Sequence, residues 1–326
     1  MRIVIAPDSF KGSLSSVAVA RALAAGWRRA RPDDEVLLMP LADGGEGTLA
    51  AIEAAGGWIR RRTPAHDPVG RPIEAAWLQS ADGDRAVVEL AAASGISRLS
   101  RAEQDPFAAS TFGTGELLTA AIGAGASEIT LGIGGSATTD GGRGFVEALG
   151  GRVSGAARDE HDWSAVTADL RGLDRRLEVT RLHVACDVDN PLLGPRGAAA
   201  TYGPQKGAAP DDVPVLDRRL GAWADALERS SGRRERDTPG AGAAGGIGFA
   251  LLCLAGRFAW FGLEPGVELV MAATGFAAAL RDSDLVLTGE GRIDAQTAHG
   301  KTALGVARRA RDAGVACYAV GGSVDA

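Results

Sequence analysis

Cysteine is scarce in this sequence of 326 residues. Cys186, Cys253 and Cys317 are odd in number, widely spaced and without a CxxC pair. This spacing predicts no zinc site and indicates the reducing environment of the cytoplasm. The sequence therefore predicts a cytoplasmic protein.

Long apolar runs and an excess of basic charge are also missing. The longest apolar stretch, residues 249–255, is far too short to span a bilayer, and the N-terminus reads as a strand, which predicts no signal peptide. The net charge is −6 and no basic stripe carries interleaved aromatic residues, so neither a membrane nor a nucleic acid is an expected partner. The basic run at residues 60–62 is typical of the solvated end of a helix or strand. The length of the chain predicts two domains.

Lysine accounts for only three of the 35 basic residues. Lys11, Lys206 and Lys301 each lie in a short segment rich in glycine, proline or serine: SFKGS, GPQKG and AHGKT. Where arginine is the usual cation, a retained lysine indicates a site that needs a compact point charge, as phosphate-binding sites do. Chance placement is the alternative for any one of them.

Two strand–helix units begin the chain. Residues 1–7 and 35–40 are apolar enough for buried strands, and a helix pattern lies between them. Consecutive βα units predict a parallel sheet, in which ligands bind beyond the carboxyl ends of the strands. Asp8 and Asp43 follow two such ends, so both are candidate site residues.

The hydrophobic pattern changes near residue 63 and changes back near residue 284. Residues 73–90 alternate as in a β-hairpin, whereas residues 283–288 again form a buried strand pattern. We therefore expect an α/β fold of two domains. Residues 1–63 plus 284–326 are the predicted parallel-sheet domain, and residues 64–283 are the predicted inserted domain of α+β-like character.

The stretch LGIGGSATTDGGRG, residues 131–144, lies between a predicted strand and a predicted helix. Its glycines let the backbone approach a ligand closely, and a strand, a Gly/Ser/Thr loop and a helix N-terminus can together form an anion site from backbone N–H groups. Gly134, Gly135 and Ser136 are the expected anion contacts, whereas Asp140 is readily explained as a helix cap. A tight turn that binds nothing is the alternative.

Carboxylates recur on the predicted loops: Asp8, Asp43, Asp140, Asp187, Asp189, Glu290 and Asp294. Beside glycine loops and lysines they suit magnesium-assisted phosphoryl transfer, because Mg²⁺ takes one or two carboxylates plus phosphate oxygens. Asp187 and Asp189 stand out, since DVDNP would place both carboxylates on one side of an extended strand end. Each aspartate taken alone is better explained as a helix cap or turn former.

Two other motifs fit their usual context poorly, and a third is missing. AQTAHGKT matches a loose phosphate-loop pattern, but the preceding strand ends several residues too early, at Thr288. DTPGAGA resembles the ribokinase-type DTxGAGD, yet Ala243 stands where those kinases carry the catalytic base, which excludes that family; close helix packing is the alternative for these glycines. No GxGxxG follows the first strand, which argues against a nicotinamide dehydrogenase.

Seven stretches carry a more specific resemblance: IAPDSFKGSLS, PLADGGEGT, GIGGSATTDGG, ACDVDNPLLGPRGAA, YGPQKGA, PGAGAAGGIG and LTGEGRIDAQTAHGK. They span nearly the whole chain in the expected order, and through them the sequence resembles the bacterial class I glycerate kinases. The resemblance implies a flavodoxin-like domain interrupted by a second α/β domain. It also implies transfer of the γ-phosphoryl group of ATP to D-glycerate with Mg²⁺, so small molecules are the expected partners.

Candidate residues follow from combining the motifs with that activity. The expected catalytic residues are Asp8, Lys11, Asp187, Asp189 and Lys301. The expected substrate- or phosphate-binding residues are Ser9, Asp43, Gly134, Gly135, Ser136, Glu290, Asp294 and Gln296. Asp189 is also the candidate Mg²⁺ ligand, while Asp187 or Asp189 would orient the glycerate hydroxyl.

Two alternatives stay open from the sequence. The family favours phosphorylation at the 2-hydroxyl, giving 2-phosphoglycerate, and 3-phosphoglycerate is the alternative product. Family members continue with further strand and helix beyond GGSVDA, so a catalytically impaired truncation product that only binds small anions is the second alternative. The sequence leaves the oligomeric state open.

Overall fold

The computed structural model of the protein describes residues 1–10, 12–157, 159–293 and 302–324. The chain divides into two compact units, of which Met1–Ile59 with Pro265–Ala326 is the first and Arg60–Glu264 is the second. The second unit is thus inserted into the sequence of the first. The structure groups residues 265–283 with the first unit, whereas the pattern change predicts them in the inserted part. That either unit is an independent domain stays a prediction.

The first unit contains a parallel sheet. Its strands are β1 (Arg2–Pro7), β2 (Glu35–Leu38), β11 (Leu285–Ile293) and β12 (Ala316–Val324). Its helices are α1 (Ser16–Ala30), α2 (Thr48–Ala55), α9 (Gly266–Thr274), α10 (Phe276–Arg281) and α11 (Thr302–Asp312). The strand order is β12–β11–β1–β2, and each neighbouring pair is parallel. The predicted parallel α/β architecture is confirmed here.

Helix α1 shows how the sequence produces this layer. Ser15 caps the helix by accepting a hydrogen bond from the Ala18 N–H at 3.3 Å. Ala20 and Ala24 belong to one buried cluster with Ile3 of β1. Small residues on the helix face let it lie close to the sheet, which fixes where the loop after β1 ends.

Strand β11 extends five residues beyond its predicted end at Thr288. Gly289 pairs with Pro7 of β1, and Glu290 pairs with Gly321 of β12. Glycine is a poor strand former, which explains the prediction of a loop, but pairing with neighbouring strands outweighs that preference. Glu290 therefore lies in a strand and not on a loop.

The second unit is built on a larger, mixed sheet. Its strands are β3 (Trp58–His66), β4 (Pro72–Ser80), β5 (Arg85–Glu89), β6 (Glu128–Gly132), β9 (Arg181–Ala185) and β10 (Trp260–Glu264), in the order β10–β9–β6–β5–β4–β3. The pairs formed by β5, β6, β9 and β10 are parallel, and β4 with β5 is antiparallel, which confirms the predicted hairpin. Strands β7 (Arg152–Ser154) and β8 (Thr167–Asp169) form a separate two-stranded sheet.

Helices of very different length accompany this sheet. They are α3 (Ala91–Ser94), α4 (Phe112–Gly123), α5 (Arg143–Ala148), α6 (Ala198–Tyr202), α7 (Asp212–Ser231) and α8 (Ala243–Leu254). Leu131 of β6 and Val184 of β9 share one buried cluster with Phe145 of α5 and Leu251 of α8. This core fixes both ends of the loop between β6 and α5.

The basic run at residues 60–62 lies inside β3 and not at the end of an element, which corrects the sequence prediction. β3 is the outermost strand of its sheet, and exposed arginines on an edge strand oppose pairing with other chains. Cys186, Cys253 and Cys317 carry free thiols. None of the helices in the described part of the chain combines the length and the apolar character needed to cross a membrane.

Candidate functional site

Asp8 directly follows β1 at the carboxyl edge of the first unit's sheet. Its N–H donates to the Gly289 carbonyl oxygen at 2.8 Å, which continues the pairing with β11. Its carboxylate accepts hydrogen bonds from the Ser9 N–H and from Thr302 Oγ1, each at 2.6 Å. Thr302 is the buried first residue of α11. The carboxylate is therefore fixed between a strand end and a helix N-terminus, where a negative charge is favourable.

Asp43 and Glu290 lie at the same edge of this sheet. Asp43 is exposed in the loop between β2 and α2, and its Oδ1 accepts a hydrogen bond from the Gly45 N–H at 3.1 Å. Glu290 is buried in β11. Since β11 lies beside β1 and β1 lies beside β2, parallel pairing brings three predicted carboxylates to the carboxyl ends of adjacent strands.

Four predicted site residues lie outside the described residues: Lys11, Asp294, Gln296 and Lys301. Ser9 is described and half-buried, and its backbone N–H is the group that bonds Asp8. In the first unit, Asp8 and Asp43 follow neighbouring strands, while their grouping in one site and the expected lysine contacts stay predictions.

In the second unit, Asp140 is enclosed by the glycine loop that follows β6. Its Oδ2 accepts hydrogen bonds from Thr111 N at 2.9 Å, Thr111 Oγ1 at 2.8 Å and Gly144 N at 3.1 Å, and its Oδ1 accepts one from Gly142 N at 3.1 Å. Thr111 is the N-cap residue of α4, and Gly142 is that of α5. One carboxylate thus caps two helices. The interpretation of Asp140 as a helix cap is thus confirmed, and its carboxylate occupies the backbone N–H groups of Gly142 and Gly144 at the start of α5.

The later part of the glycine loop packs directly on a second glycine-rich segment, residues 239–246. The Gly141 N–H donates to the Gly245 carbonyl oxygen at 3.0 Å. A Cβ atom at Gly245 would lie 1.8 Å from the Thr138 carbonyl oxygen. Ala244 adopts φ +52, a left-handed angle that is unusual for a residue other than glycine. These contacts favour backbone packing as the reason for the glycines of PGAGAAGG.

The first part of the loop is more accessible. Gly134 is half-buried, Gly135 is exposed and Ser136 is buried. The Ile96 N–H donates to the Gly135 carbonyl oxygen at 2.9 Å, and the Ala137 N–H donates to Ser94 O at 3.0 Å. Two hydrogen bonds therefore anchor the loop on either side of Ser136, while the backbone of the two glycines can be reached by a ligand.

Lys206 lies beneath this first part of the loop. Only 2% of the residue is exposed, and Nζ donates to Ser136 Oγ at 2.8 Å and to the Thr138 carbonyl oxygen at 2.6 Å. Burial lowers the pKa of the ammonium to about 7, against an opposing effect of the Asp140 charge. The sequence suggests Lys206 as a phosphate contact at a surface loop, but the described hydrogen bonds join its ammonium to the protein itself.

Asp187 and Asp189 lie in the loop after β9, which ends at Ala185. Neither residue is in a strand, so strand alternation does not apply to them, and the placement of both carboxylates on one side stays a prediction. Asp189 has a side chain 78% exposed, and its Oδ1 accepts a hydrogen bond from Arg196 Nη2 at 3.4 Å. Asp187 is also exposed.

Within the described ranges, no three Asp, Glu, His or Cys side chains lie close enough to hold a metal ion by themselves. Mg²⁺ does not require such a cluster, since it is commonly held by one or two carboxylates, water and substrate phosphate. The exposed carboxylates of Asp187 and Asp189 have the hard oxygen donors that this ion prefers. The donor chemistry therefore fits Mg²⁺, and the role of Asp189 as its ligand stays a prediction.

Comparison with known proteins covers both units. The family model described as the glycerate kinase family matches residues 3–326. The chain is 44% identical to a glycerate kinase of Bacillus subtilis, over 99% of this chain and 85% of that protein. It is 43% identical to the glycerate 2-kinase of Escherichia coli, over 95% of this chain and 82% of that protein. A crystal structure from Salmonella typhimurium, assigned as a glycerate kinase 2, matches with a TM-score of 0.87 and 42% identity over 100% of this chain and 90% of the other. The chain therefore belongs to the glycerate kinase family.

Proposed function

We propose that the protein is a glycerate kinase that transfers the γ-phosphoryl group of ATP to D-glycerate. The observation that carries the proposal is the family match along residues 3–326, together with identities of 44% and 43% to two curated glycerate kinases. The match includes the sheet edge with Asp8 and the loop with Ser136. Four of the stretches that make the sequence resemble these kinases lie at the carboxyl ends of strands: IAPDSFKGSLS at β1, PLADGGEGT at β2, GIGGSATTDGG at β6 and ACDVDNPLLGPRGAA at β9.

Phosphoryl transfer depends mainly on positioning and on positive charge, because its transition state is loose and highly charged. Asp8 suits a positioning role, since the Ser9 N–H and the Thr302 hydroxyl hold its carboxylate in place. In the proposed reaction Asp8 orients the attacking hydroxyl of glycerate, and Lys11 and Lys301 supply positive charge to the phosphates. Ser136, with the two glycines before it, binds an anionic group of a substrate.

Magnesium, when bound, would neutralise charge on the phosphate oxygens of ATP. Asp187 and Asp189 are the residues that would hold it, as their carboxylates are exposed to solvent. Asp189 would then give up its hydrogen bond with Arg196 to bind the ion. Little free energy would be lost, because exposed ion pairs of this kind contribute little to stability.

We further propose that the 2-hydroxyl is the acceptor, so that the product is 2-phosphoglycerate. The support is the 43% identity to the Escherichia coli protein, which is named a glycerate 2-kinase. Phosphorus NMR of the product distinguishes the two positions, because the phosphate couples to one proton in 2-phosphoglycerate and to two in 3-phosphoglycerate. A signal split by two protons would assign the activity to the 3-hydroxyl.

A coupled assay of ADP release tests the activity itself. We expect ADP to form only when D-glycerate, ATP and Mg²⁺ are all present, and we expect EDTA to stop the reaction. ATP hydrolysis that is independent of glycerate would contradict the proposal. Stabilisation of the protein by glycerate and ATP without turnover would instead favour a protein that only binds small anions.

A further inference from the structure

Lys206 is a buried cation whose two described hydrogen bonds both reach the same loop. Nζ bonds Ser136 Oγ and the Thr138 carbonyl oxygen, at 2.8 Å and 2.6 Å, and lies 5.9 Å from the centre of the Tyr202 ring. Taking an ammonium out of water is unfavourable unless its hydrogen bonds are replaced. An apolar side chain could fill the same space without that penalty, so packing alone does not explain a lysine here.

The two parts of the glycine loop are held by opposite charges. The Asp140 carboxylate holds the part that leads into α5, through the N–H groups of Gly142 and Gly144. The Lys206 ammonium holds the part that begins with Gly134–Ser136. The negative charge lies where the loop is buried, and the positive charge lies behind the part whose glycine backbone is accessible. This distribution suits an anionic ligand at the accessible part.

We propose that Lys206 is a positioning residue of the substrate site, which fixes Ser136 from beneath the loop and places a positive charge behind it. The bound group is an anionic oxygen, supplied either by the carboxylate of glycerate or by a phosphate of ATP. The inference rests on the proposed function, since it assigns the loop to one of that reaction's two substrates. Lys206 acts through the loop and need not touch the ligand.

The test compares Lys206→Met and Lys206→Gln with the unaltered full chain in steady-state kinetics. We expect the KM of one substrate to rise at least about tenfold, because both variants remove the positive charge behind the bound anion, and interactions with a charged group typically have effects of this size. We expect kcat to fall less than about threefold. A rise confined to glycerate assigns the loop to its carboxylate, and a rise confined to ATP assigns it to a phosphate.

Arg219→Met is the matched control. Arg219 is another fully buried cation of the second unit, and it lies 3.9 Å from the centre of the Trp163 ring and donates to the Phe107 carbonyl oxygen at 2.7 Å. Its loss should lower the temperature of thermal unfolding but leave both KM values within about twofold of the wild type. A similar rise in KM in this variant would mean that loss of any buried cation produces the effect, and would overturn the proposal.

The pH dependence of KM distinguishes the proposed role of Lys206 from a purely structural one. The charged and titratable groups that face the amine are Asp140 from the loop and Tyr202 from α6. A neutral amine keeps two donors for Ser136 and Thr138 but loses its charge. The KM of the affected substrate should therefore rise between pH 6 and pH 9 in the wild type, and this rise should be absent in Lys206→Met.

The outcomes separate this inference from the proposed function. If the wild type releases no ADP with glycerate, the proposed function fails, and calorimetric binding of glycerate and of ATP to wild type and variants still tests Lys206. Unchanged KM and unchanged binding of both substrates in a folded variant overturn the inference. If Lys206→Met does not fold, Lys206→Gln, which keeps a donor for the loop, carries the same comparison.

Discussion

Replacing Asp140 with alanine should destabilise the protein strongly, because four hydrogen bonds converge on its carboxylate. The residue is 5% exposed, so water cannot readily take its place. Each donor left unsatisfied costs about 1 kcal/mol or more, and loss of each helix cap belongs to the same range. The contributions overlap, since the donors serve the caps of α4 and α5. We therefore expect a loss of about 3–5 kcal/mol in the free energy of unfolding.

Urea denaturation followed by tryptophan fluorescence measures this loss. Trp223 is a suitable reporter because its Nε1 donates to the Gly141 carbonyl oxygen at 2.9 Å, next to the affected residues. With a denaturant slope of about 3 kcal/mol per molar urea, the midpoint should fall by at least about 1 M. Asp189→Ala is the control, since that exposed carboxylate should contribute less than about 0.5 kcal/mol. A midpoint for Asp140→Ala equal to that of the control would refute the assignment of Asp140 as a double helix cap.

Four further perturbations address both units. Asp8→Asn should lower kcat at least about 100-fold with little change in thermal unfolding, whereas near-wild-type turnover would remove Asp8 from the site. Lys301→Ala should likewise lower phosphoryl transfer by orders of magnitude while circular dichroism stays unchanged. Gly245→Ala should lower the free energy of unfolding by at least about 2–3 kcal/mol, because the methyl group would meet a backbone oxygen at 1.8 Å. Its control is Gly232→Ala, where φ is +74 and nothing lies within 4 Å, and which should lower that free energy by about 1 kcal/mol. Equal effects of the two substitutions would show that the close contact is unimportant. The pKa of Lys206 is lowered from 10.5 to about 7, so between these pH values the unfolded chain binds more protons than the folded one. The free energy of unfolding should therefore rise with pH across that window in the wild type, with a slope about 1 kcal/mol per pH unit steeper than in Lys206→Met.

The sequence predicts the elements of this fold best where hydrophobic pattern and local signals agree. The helix pattern between the first two strands and the alternation in the hairpin of β4 and β5 are of this kind, and both predictions are confirmed. Strand β11 shows the limit, because Gly289 and Gly291 weaken the local strand signal while neighbouring strands supply the hydrogen bonds. The prediction for residues 60–62 is wrong for the same reason. A charged strand is stable at the edge of a sheet, and no local sequence pattern shows which strand will lie at an edge.

The candidate site, like the fold, could be predicted from the sequence only in part. Parallel-sheet topology alone places Asp8 and Asp43 at neighbouring strand ends, so their grouping could be inferred from the order of the elements. The position of Lys206 beneath Ser136 could not, because the two residues are 70 positions apart and nothing in GPQKG indicates burial. The scarcity of lysine was the one signal that singled it out, and that signal suggests a ligand contact where the structure shows a bond to the protein.

The glycine loop shows why composition cannot separate a binding loop from a packing loop. Both need backbone that approaches another group closely, and both therefore exclude a Cβ atom. In residues 138–144 the approaching groups are the backbone of Gly245 and the carboxylate of Asp140, so glycine there serves packing. At Gly135 the backbone is exposed with φ +76, and packing does not account for it. The proposed anion site therefore lies in the first part of the loop, where Lys206 supplies the only charge that the described hydrogen bonds bring to Ser136.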